Sequence, residues 1–320
     1  MRGAIVTGRL GFEGRVAIIT GAGRGLGYAY ATELSKRGAA VVINDFSPGA
    51  APSAEIAAAQ LRTAGAEAVG VNADVSTADG GAALTEAALD SYGRVDIVIN
   101  NAGAMRSAYF TEASEGDVGL VLGVHLAGAF HATRPAWRVM QRQRYGRVVM
   151  TSSGAVFGQQ AVSAYAAAKA GILGLCRALA AEGAEAGVRV NCVLPYATSL
   201  IAVDNPVVGP DMPTIRECLD GLKTERDPRS VAALVTYLAS ERCRVTGQAY
   251  SALAGRYARL VWGLTDGWLA RDARAVTAEQ IERHLDDIDA VGSMTTPESI
   301  LEEIKAVAAR RQAASGTPLA

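Results

Sequence analysis

The first candidate for chemistry is a tyrosine followed four residues later by a lysine, Tyr165 and Lys169, in the run Tyr-Ala-Ala-Ala-Lys. In a helix this spacing places the phenol and the ammonium on one face. A phenol ordinarily titrates at about pH 10, and a cation at that distance stabilises the phenolate. The pair therefore predicts a group that exchanges a proton with a substrate oxygen, although the same spacing is common on solvated helix faces.

Two serines, Ser152 and Ser153, stand upstream of this pair at the end of a predicted strand. A hydroxyl there could hold a substrate carbonyl, because open α/β folds bind their ligands at the carboxyl edge of the sheet. The alternative is a pair of serines that caps a turn before Gly154. The presence of Tyr165 and Lys169 downstream favours the ligand-binding interpretation.

A glycine-rich turn near the amino terminus lies between a predicted strand and a predicted helix. Glycines allow the backbone to approach a pyrophosphate, whose charge faces the free N–H groups at the start of the helix. Alone, the glycines indicate only a tight turn, but this context is that of a dinucleotide site. The candidate cofactor contacts in the turn are Gly21, Arg24, Gly25, Leu26 and Gly27.

An acidic residue, Asp45, closes the second predicted strand. Its carboxylate can accept hydrogen bonds from the adenosine ribose hydroxyls, whereas a 2'-phosphate would meet like charge. Asp45 therefore favours NAD over NADP, although Arg24 beside the glycine turn could partly neutralise a 2'-phosphate. The other interpretation of Asp45 is a cap or turn residue before Pro48.

Short apolar runs alternate with longer helical stretches along the chain, which predicts repeated strand-helix-strand units. The runs are rich in Val and Ile, as strands covered on both faces must be. The sequence thus predicts a Rossmann-type, doubly wound α/β fold with a parallel sheet and helices on both faces. The predicted strands are Val16 to Thr20, Ala40 to Asn44, Ala68 to Val71, Val95 to Asn100, Arg147 to Thr151, Arg189 to Leu194 and Gly247 to Ala254; the helices between them include Asp117 to Gln143 and Ser163 to Ala186.

Prolines and glycines interrupt the stretch from Pro195 to Pro228, which predicts a loop or lid. After the predicted strand Gly247 to Ala254, the tail contains two amphipathic, charged segments and predicts a helical extension. We therefore divide the chain into an amino-terminal extension (1–15), a dinucleotide-binding catalytic domain (16–254) and a C-terminal helical extension (255–320).

The composition excludes several classes of function. The net charge is −1 and 50% of the residues are hydrophobic, so a folded core is expected without a strong field for nucleic acid or an anionic membrane. No segment is expected to be as long as a membrane span. The four cysteines are widely spaced and none lies near a histidine, which predicts no metal site and a reducing, cytoplasmic compartment.

Taken together, these motifs resemble the short-chain dehydrogenase/reductase family from about Val16 to Ala254. The resemblance also covers Asn101-Ala102-Gly103 after the fourth strand, Asp74 and Val75 after the third, and Pro195 after the sixth. It implies that the glycine turn and these segments hold the cofactor, that a serine orients the substrate oxygen, and that Tyr165 exchanges the proton. By the same resemblance, Lys169 binds the nicotinamide ribose and lowers the phenol pKa, which a nicotinamide cation lowers further.

Two positions depart from the family pattern. The family's usual serine-to-tyrosine spacing selects Ser152, whereas counting along the strand from Gly146 selects Ser153. We favour Ser153 because strand register fixes side-chain direction more firmly than loop length. The family's active-site asparagine is replaced by His125, whose imidazole could organise a water or relay a proton, or could be a buried helix residue.

The segments around His125, Trp137 and Tyr145 further resemble the hydroxyacyl-CoA dehydrogenase unit of peroxisomal multifunctional enzymes. This implies NAD-linked oxidation of a 3-hydroxyacyl thioester, and a homodimer or homotetramer. A second hypothesis is a dehydrogenase for a steroid-like or polyketide-derived polycyclic alcohol, since the segment after Tyr196 departs from the resemblance. A third, of another class, is a non-catalytic dinucleotide-binding sensor or scaffold, which would have no need of the serine, tyrosine and lysine together.

Overall fold

Short runs of Val, Ile and Ala form one large sheet in the computed structural model, which describes residues 8–46, 53–197 and 207–315. Such runs suit strands that are covered on both faces. The strands are β1 (Val16–Ile19), β2 (Ala40–Asp45), β3 (Ala68–Asn72), β4 (Ile97–Asn100), β5 (Gly146–Thr151), β6 (Val188–Tyr196), β7 (Ala249–Leu253) and β8 (Arg256–Leu260).

The sheet has the order β3-β2-β1-β4-β5-β6-β7-β8, and its strands β1 to β7 run parallel. The strand order reverses at β1, which pairs with β2 on one side and β4 on the other. In open α/β sheets this switch point is where the crevice for a ligand opens. The predicted Rossmann-type fold is confirmed.

Helices cover both faces of the sheet. Alternate strand residues such as Ala17 and Ile19 pack with α1, α2 and α8, and the intervening Ile18 is equally buried on the other face. On that other face α3 contacts α5, and α6 packs against β6. The helices are α1 (Gly25–Ser35), α2 (Ser53–Thr63), α3 (Ala78–Tyr92), α4 (Glu115–Leu122), α5 (Gly128–Gln143), α6 (Ser163–Gly183), α7 (Met212–Gly221), α8 (Pro228–Ala239), α9 (Ala278–Arg283), α10 (Leu285–Asp289) and α11 (Ile300–Ser315).

The long helix predicted from Asp117 to Gln143 is interrupted. Residues Gly123–Ala127 form a π-turn between α4 and α5, in which the N–H of Gly128 donates to the carbonyl of Gly123. Periodicity alone did not reveal this turn, because the apolar pattern continues through it. Single π-turns of this kind are frequent at functional sites.

The predicted loop from Pro195 to Pro228 is partly helical. Helix α7 begins at Met212, directly before Pro213. Because proline is tolerated in the first turn of a helix, Pro213 starts this element rather than breaking it. The prediction of a loop is therefore wrong for α7, while residues 198–206 of the predicted lid lie outside the described residues.

Helix α6 is, among the described helices, the one long and apolar enough to cross a membrane by length and composition. The prediction that no segment reaches that length is wrong for this helix. The same composition is found in the core helices of globular domains, and α6 packs against β6 while carrying the buried Lys169.

The chain divides into two compact units, residues 1–259 and 260–320. At the end of the first unit, Ala254 and Gly255 both have positive φ (49° and 78°) and form a two-residue turn that reverses the chain from β7 into β8. The sheet therefore continues past residue 254, where our predicted catalytic domain ends. At the other end, Phe12 of the predicted amino-terminal extension is buried in the core, and residues 1–7 lie outside the described residues.

The second unit contains α9, α10, α11 and a two-stranded antiparallel ribbon of β9 (Leu264–Thr265) and β10 (Met294–Thr295). Thr277 begins α9 with a capping box, in which its hydroxyl accepts from the N–H of Gln280. The rings of Trp268 and His284 stack with centroids 4.2 Å apart. These helices agree with the predicted helical character of the tail.

Candidate active site

The loops that follow β1 and β4 are joined by one hydroxyl at the carboxyl edge of the sheet. Thr20 Oγ1 accepts hydrogen bonds of 2.9 Å from the N–H groups of both Asn101 and Ala102. In return, Asn101 Nδ2 donates to the carbonyls of Thr20 and Gly21, each at 3.0 Å. The glycine turn and the Asn-Ala-Gly segment are thus fixed to each other at the switch point.

A cavity of about 530 Å³ opens at this edge. The structure brings together on its walls 14 of the 16 residues that the sequence analysis favours, and Ser152, the alternative to Ser153, lines it as well. These are Gly21, Arg24, Gly25, Leu26, Asp45, Asp74, Val75, Asn101, Ala102, Gly103, His125, Tyr165, Lys169 and Pro195.

The two other candidates, Gly27 and Ser153, are not among the residues that line this cavity. Gly27 is buried where α1 crosses the glycine turn, and a Cβ there would lie 2.4 Å from the carbonyl oxygen of Gly21. Its role in the structure is to allow close packing. Ser153 makes a side-chain hydrogen bond with Tyr165, so it belongs to the reacting end of the site.

One end of the cavity fits a dinucleotide. Gly25 has a φ of +61° and open space where a Cβ would be, while a Cβ on Gly21 would lie 2.7 Å from Ala102 Cα. The turn can therefore adopt a shape that L-residues rarely reach and leave room for phosphates at the start of α1. The residues present fit such a cofactor.

Asp45 leans over the glycine turn at the same end. Its Oδ2 accepts a 2.8 Å hydrogen bond from the Ser53 hydroxyl, and its Oδ1 accepts from the N–H of Phe46. A Cβ on Gly23 would lie 2.1 Å from Oδ2, so the absence of a side chain at Gly23 allows the carboxylate to sit there. Arg24 lines the same wall, which places an acid and a base near the expected ribose.

Lys169 joins helix α6 to strand β5 at the other end of the cavity. Its ammonium is buried and donates a 2.6 Å hydrogen bond to the carbonyl of Thr151, and the hydroxyl of Ser152 donates back to the carbonyl of Lys169 at 2.8 Å. Burial lowers the pKa of Lys169 to about 7, since among the described residues no carboxylate offsets the loss of solvation.

The two serines have different environments. The hydroxyl of Ser152 is buried and engaged by the Lys169 carbonyl, so it serves the contact between α6 and β5. Ser153 has an extended backbone, accepts a hydrogen bond from Ala155 N–H at 3.2 Å and reaches Tyr165. Ser153, which contacts Tyr165, therefore stays our prediction for the serine that holds a substrate oxygen.

The phenol of Tyr165 differs from the expectation. Its ring centroid lies 5.6 Å from Lys169 Nζ, on the face that the four-residue spacing predicts. Burial nevertheless raises the pKa of Tyr165, and the hydrogen bond with Ser153 offsets only part of that increase. The expected lowering of this pKa by Lys169 does not outweigh the effect of burial.

His125 lies in the π-turn, with its ring edge-on to Tyr165 and the centroids 5.0 Å apart. Its Nε2 accepts from the N–H of Ala104 (3.1 Å) in one tautomer and donates to the Ala104 carbonyl (2.7 Å) in the other. Burial lowers the pKa of His125, and the charge of Lys169 lowers it further. The imidazole is therefore neutral and holds the segment that follows β4.

Three buried polar atoms surround a small cavity of about 10 Å³ below this ring. They are Asn100 Oδ1, His125 Nδ1 and Thr151 Oγ1, which have no hydrogen-bond partner within the part of the chain that the structure describes. Lys169 also lines the cavity. The space and the polar lining suit a single water molecule.

Sequence reasoning missed three residues that shape the site: Thr20, Ser53 and Thr151. Thr20 and Thr151 are ordinary strand-end residues in the sequence, and their roles depend on which neighbouring loop or helix each one meets. Ser53 was recognised only as the start of a helix. Only Thr20 could have been found from the sequence, because it directly precedes the glycine turn.

The buried ammonium predicts a pH dependence of stability. In the unfolded chain Lys169 titrates at about 10.4, well above its pKa of about 7 in the folded protein. The penalty for burying the charge is thus fully present below pH 7 and is relieved as the pH rises through this interval. We expect the free energy of unfolding of the wild type, relative to Lys169→Met, to rise by at most about 4 kcal/mol from pH 7 to 10 in urea titrations. A difference that stays constant or falls would contradict this assignment.

Comparison with known proteins agrees with the site. A family model described as "short chain dehydrogenase" matches residues 15–205. The mouse peroxisomal multifunctional enzyme type 2 is 36% identical over 301 residues, which cover 92% of this chain and 39% of that protein. The yeast (Saccharomyces cerevisiae) peroxisomal hydratase-dehydrogenase-epimerase is 36% identical over 282 residues, covering 86% of this chain and 30% of that protein.

The structure of full-length peroxisomal multifunctional enzyme type 2 from Drosophila melanogaster superimposes with a TM-score of 0.76 at 30% identity, over 95% of this chain and 50% of that one. This chain therefore spans less than half the length of both curated relatives. The residues that match the family model include the glycine turn and the Tyr165 and Lys169 pair. The chain belongs to the short-chain dehydrogenase/reductase family and is an oxidoreductase.

Proposed function

We propose that this enzyme uses NAD to oxidise the secondary alcohol of a 3-hydroxyacyl thioester to the 3-keto form. The observation that carries the reaction is the placement of Tyr165, Ser153 and Lys169 at one end of a cavity whose other end fits a dinucleotide. The relatives named as peroxisomal multifunctional enzyme and hydratase-dehydrogenase-epimerase support a hydroxyacyl dehydrogenase.

In this mechanism, Ser153 and Tyr165 both hydrogen-bond the alcohol oxygen. The Tyr165 phenolate takes the hydroxyl proton while hydride leaves the carbinol carbon and a carbonyl forms. Bound NAD supplies the hydride acceptor and a positive charge near the phenol. Lys169, held by the Thr151 carbonyl, supports the ionised phenol, and together with Ser153 the protein positions the groups that exchange the proton.

The preference for NAD is argued from the ribose end. The carboxylate of Asp45 is fixed by Ser53 and lies over Gly23, where ribose hydroxyls could donate to it. A 2'-phosphate at this place would meet a negative charge at short range. Arg24 on the same wall offsets part of that repulsion, so NADP is disfavoured rather than excluded.

A polycyclic alcohol is the second candidate substrate. Buried apolar side chains from three segments pack beside Tyr165, namely Met105, Ala155, Val162 and Val207. An apolar wall of this kind suits a steroid-like or polyketide-derived ring system as well as an acyl chain. A panel of 3-hydroxyacyl thioesters and polycyclic alcohols, read by NADH formation, separates the two; no turnover with either class would support the non-catalytic sensor.

A homodimer or homotetramer and a cytoplasmic location complete the proposal. The assembly rests on the family resemblance, and the location rests on the widely spaced cysteines. All four cysteines are free and three of them are buried, which is compatible with a reducing compartment. The two curated relatives are named as peroxisomal proteins, so fractionation of cells is the direct test of the location.

Replacing Tyr165 by Phe removes the group that exchanges the proton. We expect kcat for the alcohol substrate to fall by about 10²- to 10⁴-fold, because that is the usual contribution of a positioned acid or base. NAD binding, measured by fluorescence titration, should be retained. Undiminished turnover by Tyr165→Phe with intact NAD binding would overturn the mechanism.

Replacing Asp45 by Ala removes the charge that faces the ribose. We expect the ratio of kcat/KM with NAD to that with NADP to fall at least about 10-fold, since one charge contact is typically worth more than 1 kcal/mol in binding. Asp79, an acidic residue in the first turn of α3, provides a control as Asp79→Ala, which should leave the ratio unchanged. Equal use of NAD and NADP by the wild type would contradict the proposed preference.

A further inference from the structure

Tyr196 ends strand β6 directly after Pro195, and its hydroxyl presses against the turn that follows Ser153. A Cβ built on Gly154 would lie 1.4 Å from the Tyr196 hydroxyl oxygen and 2.4 Å from its Cζ. Only glycine can therefore occupy position 154 while the phenol stays in place. The contact fixes the tip of this side chain one residue away from Ser153.

The position is adjacent to the reacting groups. Ser153 hydrogen-bonds Tyr165, and the Tyr196 phenol is close enough to Tyr165 that its ionised form would raise the pKa of Tyr165. The Tyr196 hydroxyl thus lies near Ser153 and Tyr165, and its chain neighbours Pro195 and Ala197 both line the cavity.

The chemistry of Tyr196 at neutral pH is that of a donor. Burial raises the pKa of its phenol, and the nearby Arg256 offsets only part of this effect. The hydroxyl therefore keeps its proton and can donate to a carbonyl oxygen. It cannot replace Tyr165 as the base.

Three other polar side chains near the reacting end already have hydrogen-bond partners. Ser152 donates to the Lys169 carbonyl, His125 is bound to Ala104, and Gln159 Nε2 donates to the sulfur of Met212. The remaining wall is the apolar cluster that packs beside Tyr165. In such a wall, a few placed polar groups decide which substrates bind in the productive orientation.

We propose that Tyr196 is a specificity-determining residue whose hydroxyl, held against Gly154 beside Ser153 and Tyr165, donates a hydrogen bond to a second oxygen of the substrate. This rests on the proposed function: in a 3-hydroxyacyl thioester that second oxygen is the thioester carbonyl, two carbons from the reacting alcohol. The residue thereby selects β-oxygenated substrates over simple secondary alcohols.

The test compares two substrates that differ only in that oxygen. One is a 3-hydroxyhexanoyl N-acetylcysteamine thioester, and the other is the matched thioether, in which the C1 carbonyl is replaced by a methylene. For Tyr196→Phe we expect kcat/KM with NAD to fall about 10-fold for the thioester and to change less than about 2-fold for the thioether. Tyr237→Phe, which removes a hydroxyl from a tyrosine on α8, is the matched control and should change neither value.

The outcomes separate this inference from the proposed function. If the wild type oxidises the thioester and Tyr196→Phe does so equally well, or loses the same factor with both compounds, the inference is wrong and the proposed function stands. If the wild type oxidises the thioether but not the thioester, the thioester assignment and this inference both fail. If the wild type oxidises neither, the proposed function fails and the inference with it.

A second pair of variants tests the contact itself. Gly154→Ala drives a methyl group into the Tyr196 phenol, so we expect a large loss of thioester activity in the wild-type background. In the Tyr196→Ala background the same methyl group meets open space, and the further loss should be at least about 10-fold smaller. Equal losses in both backgrounds would show that the two residues do not meet and would overturn the proposal.

Discussion

The buried ammonium of Lys169 is the interaction on which the reacting end of this protein depends. It crosses from α6 to β5 and binds the Thr151 carbonyl, while Ser152 returns a hydrogen bond to the backbone of the same lysine. This reciprocal pair fixes the helix to the end of the strand. Tyr165 lies one turn earlier on α6, and Ser153 directly follows Ser152 after β5. The two side chains are consequently held within hydrogen-bond distance of each other.

The other end of the cavity depends on the switch in strand order at β1. Because β1 and β4 are neighbours, the loops that follow them meet at one edge, and the hydroxyl of Thr20 joins them. Asp45 reaches the same edge from β2. A dinucleotide site and the Tyr165 end of the cavity thus result from one parallel sheet. In the proposed mechanism the protein places the phenol, and a bound nicotinamide cation would supply the charge that favours its ionisation.

The strands and the cavity residues were predictable because each rests on a local signal. Continuous apolar runs such as Ala40 to Asn44 give buried parallel strands, and the glycine turn gives its own backbone shape. The π-turn around His125 was not predictable, because the apolar period passes through it unchanged. Helix α7 was missed because Pro213 reads as a helix breaker unless its position in the first turn is known.

Contacts between residues of distant segments could not be predicted from the sequence for a different reason. The contact of Tyr196 with Gly154 joins two strand ends, and neither residue type signals the other. The choice of Ser153 over Ser152 stays a prediction from strand register, which rests on the alternation of side chains between the two faces of a strand. The net effect on the Tyr165 pKa could not be obtained from spacing, because it depends on how completely both partners are buried.

We expect the Tyr165 phenol to be ionised near neutral pH only when a nicotinamide cation lies beside it. Ultraviolet difference titration of tyrosinate, comparing the wild type with Tyr165→Phe in the presence and absence of NAD⁺, measures this directly. The account predicts one tyrosine, missing from the variant, whose pKa lies above its ordinary value without NAD⁺ and falls by several units when NAD⁺ binds. A Tyr165 pKa that is unchanged by NAD⁺ would contradict it.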